Sequence, residues 1–306
     1  MDKKNLKKSG WVLGPFLLVA ALNGRDFRAG TLKPNEPSLQ AETWKVTYIA
    51  NEGFLIETRG GKILCDALFG GFAGTWCDQP TPETLDRLRN AEPPFQDIDV
   101  ITVSHPHTDH FNPEILVAHV LHNPKVRVLC PRQVEEILAK NPAYEKIKSN
   151  ITAVTPPAGQ DEIVTVGDIH VRILRLDHSP YFEVDEKTKE RVNLHRNVEN
   201  LAYVFETAGL RMLHTGDAGP ASGASIQSYG LTGKPIDLAF LDRIFCTAPG
   251  LEIIEKYIRP DVLVYMHINP GDALKFQKCI DPARANAPAL FLFEKPMDSR
   301  VFSKRK

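Results

Sequence analysis

Residues 104–111 read Ser-His-Pro-His-Thr-Asp-His-Phe, SHPHTDHF, and directly follow a short apolar run, DVITV, at 99–103. A continuous apolar run of that length reads as a strand buried on both faces. Asn112 and Pro113 come next, an N-cap and first-turn pair that opens a helix through EILVAHVLH, which Asn123-Pro124 closes. The histidines therefore occupy a loop between a buried strand and a helix. There His105 and His107, two residues apart, can face one cation, while Asp109 and His110, at the helix entry, can turn toward a second. Imidazole and carboxylate suit zinc, iron or manganese without any thiolate. Three histidines in one short loop are an electrostatic liability unless a metal binds them.

The same grammar recurs along the chain. Before the motif stand WKVTYIA, GFLIET and KILCDAL, with Gly60-Gly61 expected as a hairpin turn, and Thr81 can cap a helix beginning Pro82-Glu83. After it come a strand KVRVLC and a helix RQVEEILAK. The later half follows with EIVTV, IHVRILRL, LAYVFET, RMLHTGD, a helical LEIIEKYI, the strand DVLVYMH and a last strand ALFLFE. Two blocks of strands and helices in similar order predict an α/β fold of αββα type, two mixed sheets packed face to face with helices on both outer faces. Three further ligand-type residues stand where apolar runs stop: His178, Asp217 and His267. The charged stretch 179–200 interrupts two good strands and is expected to form a long loop or protruding hairpin.

These features resemble the metallo-β-lactamase superfamily from about Trp44 to Phe293. The opening hairpins through Asp66, the H-x-H-x-D-H motif in SHPHTDHF, HTGDA around Asp217 and YMH at His267 all match that family's pattern. The resemblance implies a metal-dependent hydrolase in which a hydroxide activated by two divalent cations cleaves an ester, lactone or phosphodiester bond. Zinc is the expected metal, with manganese and iron as alternatives. It further implies His105, His107 and a third histidine on the first cation, Asp109, His110 and His267 on the second, and Asp217 bridging both. His178 is the expected third histidine and His195 the alternative ligand or pocket residue. Asp109 doubles as acceptor of the nucleophile's proton. GFLIE, the D-H-S loop at 177–179 and HTGDA are most similar to the branch containing L-ascorbate-6-phosphate lactonases and N-acyl phosphatidylethanolamine phospholipases D. Phe111-Asn112-Pro113 departs from the small residues that the hydroxyacylglutathione hydrolase branch carries there. Two other readings share the ligands: a catalytically inactive metal-binding or sensory module, and a di-iron redox protein.

The remaining candidates have plainer expectations. His214 is read as a core residue or one supporting a ligand, and His119 and His122 as packing or surface residues. Asp66 is expected to orient the motif loop by hydrogen bonding, and Phe111 and Asn51 to pack at or near the cavity.

Composition sets the outer bounds. The chain has 306 residues, enough for a sizeable core, and 37 Lys and Arg against 38 Asp and Glu leave a formal charge of -1. Without a basic field, nucleic acid is not an expected partner; a small-molecule or lipid-like substrate is. Lys3, Lys4, Lys7 and Lys8 precede an apolar run from Trp11 to Leu22. Residues 1–25 thus read as an export signal to the periplasm or exterior, with an uncleaved membrane anchor or a cytoplasmic extension as alternatives. Residues 26–42 read as a linker and 43–306 as the hydrolase domain. Five cysteines lack C-x-x-C spacing, so a zinc ribbon or dense disulfide framework is not expected, and Cys65 and Cys130, ending apolar runs, read as buried free thiols.

Overall fold

The computed structural model describes residues 43–281 and 287–304, so the expected signal and linker at 1–42 lie outside the described residues. Two seven-stranded mixed sheets form its centre. From edge to edge the first runs Ser299–Ser303, Thr43–Ala50, Gly53–Thr58, Gly61–Cys65, Val100–Thr102, Arg127–Cys130 and Ile151–Ala153. The second runs Ala289–Phe291, Pro260–Met266, Ile236–Asp242, Leu210–His214, Glu199–Thr207, Ile169–Asp177 and Asp161–Val166. Each begins, in chain order, with antiparallel hairpins and continues with parallel strands.

Three apolar layers hold this arrangement together. Trp44, Val46, Phe54, Tyr203, Phe205 and Phe240 belong to the buried cluster shared by the two sheets. Leu55, Leu64, Ile101 and Val128 turn to the other face of the first sheet and meet Ile115, Leu116 and Val120 of the helix Pro113–His122. Ala202, Val204, Ala239 and Leu263 do the same against Ile226 of the helix Gly223–Ser228 and Ile253 of the helix Ala248–Ile253. Alternate side chains of each strand serve opposite faces, so each sheet is covered on both sides. Helix, sheet, sheet and helix therefore stack as the sequence predicted. The buried Tyr203 hydroxyl crosses between the sheets, donating to the carbonyls of Val103 at 2.8 Å and Leu129 at 3.2 Å.

Local signals explain the helix that matters most for the site. Asn112 Oδ1 accepts from the backbone N–H groups of Glu114 at 3.0 Å and Ile115 at 3.2 Å, so the helix starts where the motif ends. Thr81 caps the helix Pro82–Arg89 in the same way, accepting from Thr84.

Several expectations need correction. The early hairpin turns on Arg59-Gly60, and Gly61, at φ +140°, already opens the next strand. The strand Ile236–Asp242 was not expected, nor was Ile151–Ala153. Ala289–Phe291 is not the last strand, because Ser299–Ser303 follows and pairs with Thr43–Ala50, Thr43 facing Ser303. Residues 179–200 do include the expected hairpin, a small antiparallel pair of Phe182–Val184 with Arg191–Asn193. Cys65, Cys77 and Cys130 are buried free thiols, whereas Cys246 and Cys279 form a disulfide with Cα atoms 5.5 Å apart. That bridge joins the turn after Ile236–Asp242 to the segment after Pro260–Met266. No described helix is long and apolar enough to cross a membrane.

Candidate metal centre

Strand ends converge at one edge of the sandwich, the usual place for a site in sheets with parallel strands. The motif loop leaves the end of Val100–Thr102, Asp217 follows Leu210–His214, His178 follows Ile169–Asp177, and His267 follows Pro260–Met266. All seven expected ligands meet there, in two groups. In the first, His107 Nδ1 lies 3.1 Å from His105 Nε2 and 3.2 Å from His178 Nε2, and Asp217 Oδ2 lies 3.4 Å from His178 Nε2 and 3.9 Å from His105 Nε2. In the second, Asp109 Oδ2 lies 3.6 Å from His110 Nε2 and 3.3 Å from His267 Nε2. Asp217 touches both, with Oδ1 at 3.2 Å from His110 Nε2 and Oδ2 at 3.6 Å from His267 Nε2. Each group has its donor atoms within 4.8 Å of one another.

The residues around the donors fix their orientation. Asp66 Oδ1 accepts from the Ser104 backbone N–H at 2.7 Å, and Oδ2 takes the Ser104 hydroxyl and approaches His110 Nδ1 at 3.0 Å. The expected loop-orienting role of Asp66 is what this geometry provides, and it leaves His110 Nε2 facing the donors. Asn51 Nδ2 donates to the Asp109 carbonyl at 3.1 Å and to its carboxylate at 3.3 Å. Asn200 Oδ1 accepts from the Asp217 backbone N–H at 3.1 Å while its amide donates to the Thr215 carbonyl at 3.2 Å. Gly216, at φ +52°, permits this approach, since a Cβ there would stand 2.5 Å from Asn200 Oδ1 and 2.6 Å from Ser104 Cβ. Asn51, Asp66 and His267 also hold left-handed backbone conformations, a costly state for non-glycine residues that clusters at functional sites.

Electrostatics divide the side chains in the same way. Burial, reinforced by neighbouring imidazoles, pushes His105 and His178 below the ordinary histidine range and His107 to about 4, which keeps the rings neutral and leaves one nitrogen of each with a free lone pair at neutral pH. Burial also opposes charge on His110 and His267, but the Asp217 and Asp109 carboxylates overcome it and raise both. For Asp109 and Asp217 burial works toward neutrality, yet His110, His267 and their neighbours hold both carboxyls below the usual range. Three unprotonated imidazoles converge within 3.2 Å steps, and Asp217 Oδ1 is buried without a hydrogen bond. A divalent cation in each group satisfies all of these atoms, so the donor set fits a dinuclear metal site.

The candidates outside the donor set fall into place around it. His195 packs edge-to-face against His178, ring centroids 4.2 Å apart, and lies 4.8 Å from the His107 ring, while its Nδ1 is 3.0 Å from the Ser179 carbonyl. It borders the first group without joining it. His178 Nδ1 also approaches that carbonyl, at 2.8 Å, and so presents Nε2 to the donors. His214 approaches the Glu52 carbonyl at 3.0 Å from the core, and His119 approaches the Leu88 carbonyl at 2.6 Å. His122 is exposed, and Phe111 is buried beside the helices.

Four residues near the centre were not foreseen. Trp76, 45% exposed, donates from Nε1 to Asp109 Oδ2 at 3.4 Å. Arg243 contacts the Nδ1 and carbonyl of His267. Asp242, which burial and the Asp217 carboxylate raise to about 6 against the opposing effect of His267, ends its strand and accepts from the Ile244 N–H at 2.7 Å. Glu52 is fully buried beside His110. Only Asp242 carried a readable signal, an acid closing the apolar run DLAFLD.

Comparison with known proteins agrees with this geometry. A family model described as a beta-lactamase superfamily domain matches residues 62–287. The fold is similar to that of Igni18, a metallo hydrolase from the archaeon Ignicoccus hospitalis, with a TM-score of 0.58 and 17% identity over 86% of this chain and 100% of that one. It is also similar to CmlA, a diiron beta-hydroxylase from Streptomyces venezuelae, with a TM-score of 0.50 and 14% identity over 88% of this chain and 55% of that one. A Mycolicibacterium smegmatis protein provisionally named a Rieske 2Fe-2S iron-sulfur protein is 32% identical over 131 residues, 40% of this chain and 24% of its own length. The match thus spans about a quarter of that curated relative. With the family model covering well over half of its length and a His/Asp cluster at the strand ends, this chain belongs to the metallo-β-lactamase superfamily.

Proposed function

We propose that the protein is a hydrolase that uses two divalent cations, zinc by first expectation, to cleave an ester, lactone or phosphodiester bond in a small or lipid-like molecule. The observation that carries this reading is Asp217, whose carboxylate touches both groups of histidines, Oδ1 beside His110 and Oδ2 between His178 and His267. Cations held there supply the positive charge that lowers the pKa of a water and stabilises charge developing on the attacked centre.

The chain's own residues do the rest. Asp109 is steadied by Asn51 and Trp76 and sits between His110 and His267, placed to take the proton released as the water attacks. Trp76, stacked on Phe72 with centroids 5.0 Å apart, flanks the Asp109 side of the centre. Tyr181, 52% exposed, lies against His195 on the His107 side. Two aromatic surfaces flanking a polar centre favour a substrate with an apolar portion. That preference agrees with the lactonase and phospholipase D branch that the opening hairpin and the D-H-S loop resemble, and the near-neutral charge gives no support to a polyanionic substrate. Residues 1–25 are proposed as an export signal and 26–42 as a linker, consistent with action outside the cytoplasm.

A second reading, redox chemistry at a di-iron centre, is favoured by one observation: Glu52, Asp66 and Asp242 add buried carboxylates around the donors. The names of CmlA and of the Rieske-type relative point the same way. The two readings separate on metal analysis of protein purified without added metal, followed by a panel of esters, lactones and phosphodiesters. Hydrolysis that disappears on chelation and returns with zinc supports the hydrolase. Iron as the resident metal with no turnover on the panel overturns it in favour of the redox protein.

A further inference from the structure

His267 follows the strand Pro260–Met266 in a left-handed backbone conformation, φ +57°, a costly state for a histidine that persists only where the surroundings hold it. The chain beyond it gives little hold. From Ile268 to Asp281 no residue is fully buried, and contact with the outer apolar layer of the second sheet is confined to the half-buried Ile268, Phe276, Cys279 and Ile280. The His267 N–H reaches the Asn51 carbonyl only at 3.4 Å.

Firmer support comes from the neighbouring parallel strand Ile236–Asp242. Arg243, directly after that strand, donates to the His267 carbonyl and touches its Nδ1. Arg243 opens the short helical turn Arg243–Cys246, which is capped by Asp242 and anchored in the core by the fully buried Phe245. The last residue of that turn, Cys246, is bonded to Cys279 with Cα atoms 5.5 Å apart. One well-held turn therefore fastens the weakly packed segment twice, by Arg243 at its start and by the disulfide near its end. The other cysteines, Cys65, Cys77 and Cys130, are buried free thiols, whereas Cys246 and Cys279 are both partly exposed. Attack by an outside thiol falls on this bridge.

We propose that the Cys246–Cys279 bridge is a thiol-sensitive clasp on the second cation: closed, it keeps His267 beside Asp109, and opened by reduction, it leaves that donor on a loose segment. The inference rests on the dinuclear reading above. The reductant is a dithiol. Its thiolate attacks one sulfur of the bridge, which breaks the S–S bond and releases the other cysteine as a thiolate that takes up a proton. The second thiol of the reagent then displaces the first cysteine. The protein gains two electrons and two protons, and the dithiol becomes a disulfide. His105, His107, His178 and Asp217 stand on other elements, so the first cation should not sense the change.

The test uses full-length, chelator-stripped protein purified without reductant, together with its Cys246→Ser/Cys279→Ser double variant. Denatured wild type should show three free thiols, and five after dithiol treatment; five at the outset overturns the proposal. Trypsin should cut the metal-free variant after the exposed Lys275 or Lys278 about tenfold or more faster than metal-free wild type, and equal rates overturn it. In a Zn(II) titration wild type should bind two ions. The variant should keep the first within about threefold and bind the second about tenfold or more weakly. Binding of both ions within about threefold of wild type overturns the proposal and leaves the dinuclear reading standing. Equal weakening of both ions also overturns it, because the bridge then supports the whole fold and not one donor. Wild type that binds no second ion overturns both readings. Should the double variant fail to fold, wild type reduced with a dithiol and desalted under nitrogen decides by the same criteria.

Discussion

The two sheets contribute to the centre in opposite styles. The first supplies His105, His107, Asp109 and His110 within six consecutive residues, on one loop held by Asp66 and by the cap at Asn112. The second supplies His178, Asp217 and His267 one at a time, each from a different strand end and separated by dozens of residues. A compact loop can preserve its geometry through local hydrogen bonds. Dispersed ligands depend on the register of a whole sheet, here set by the pairing of Leu210–His214 with Glu199–Thr207 and Ile236–Asp242. The first sheet therefore defines the chemistry, and the second completes it.

Substitutions can break that contrast, beginning with the residue that joins both groups. Asp217→Ala should release both cations and lower hydrolysis on the order of 10³-fold or more, the equivalent of several kcal/mol of lost stabilisation. Elemental analysis together with kcat/KM on the best panel substrate measures both effects. Full activity in Asp217→Ala, or in Asp109→Ala, is incompatible with the proposed mechanism. One donor from each side sharpens the comparison further: His107→Ala should cost the first cation and His267→Ala the second, as read by metal content. Loss of both ions in each variant would mean that the two groups act as one unit.

The neighbouring pair His178 and His195 tests the division within a single group. His178→Ala should lose most affinity for the first cation, while His195→Ala keeps two ions and loses about tenfold in turnover, because it borders the site without donating to it. Equal metal loss in both variants would move His195 into the donor set. Asp66→Ala should weaken metal binding by about 10–100-fold, since it frees His110 Nδ1 and the Ser104 N–H; isothermal titration gives the number. The smallest effect belongs to the contact between the sheets. Tyr203→Phe removes the hydroxyl bonded to Val103 and Leu129 and should cost about 1 kcal/mol, with a melting temperature lower by about 2–4 °C and metal content unchanged.

The contrast also explains what could be read before the fold was known. SHPHTDHF is legible because its residues are neighbours in sequence, and His178, Asp217 and His267 because each stops an apolar run. The αββα architecture followed from the repeated order of strands and helices. Glu52 was hidden, since Asn-Glu-Gly between two strands reads as a solvent-facing turn, and the turn is buried by the bonds of Asn51 to Asp109 and of His214 to the Glu52 carbonyl. The Arg243 contact with His267 depends on two parallel strands lying side by side, which no spacing reveals. Cysteine spacing likewise carries no pairing information, so the Cys246–Cys279 bridge was invisible. The last strand, SRVFS, is short, carries Arg300 and sits at a sheet edge, where the apolar signal is weakest. The strand Ile236–Asp242 is different: its seven residues are all buried, and its apolar run carries a signal as readable as that of its neighbours.

That final edge strand has a consequence for how the polypeptide can be rewired. Thr43 and Ser303 are register partners, so the first and last strands of the described domain meet about 5 Å apart, one strand spacing. Joining them through a few added residues, and opening the chain instead at the tip of the hairpin between Val184 and Arg191, would give a circular permutant with every sheet pairing intact. In such a molecule Asp217 and His267 would be synthesised before the motif loop and His178 after it, so the chain would begin with two scattered donors and end on the third.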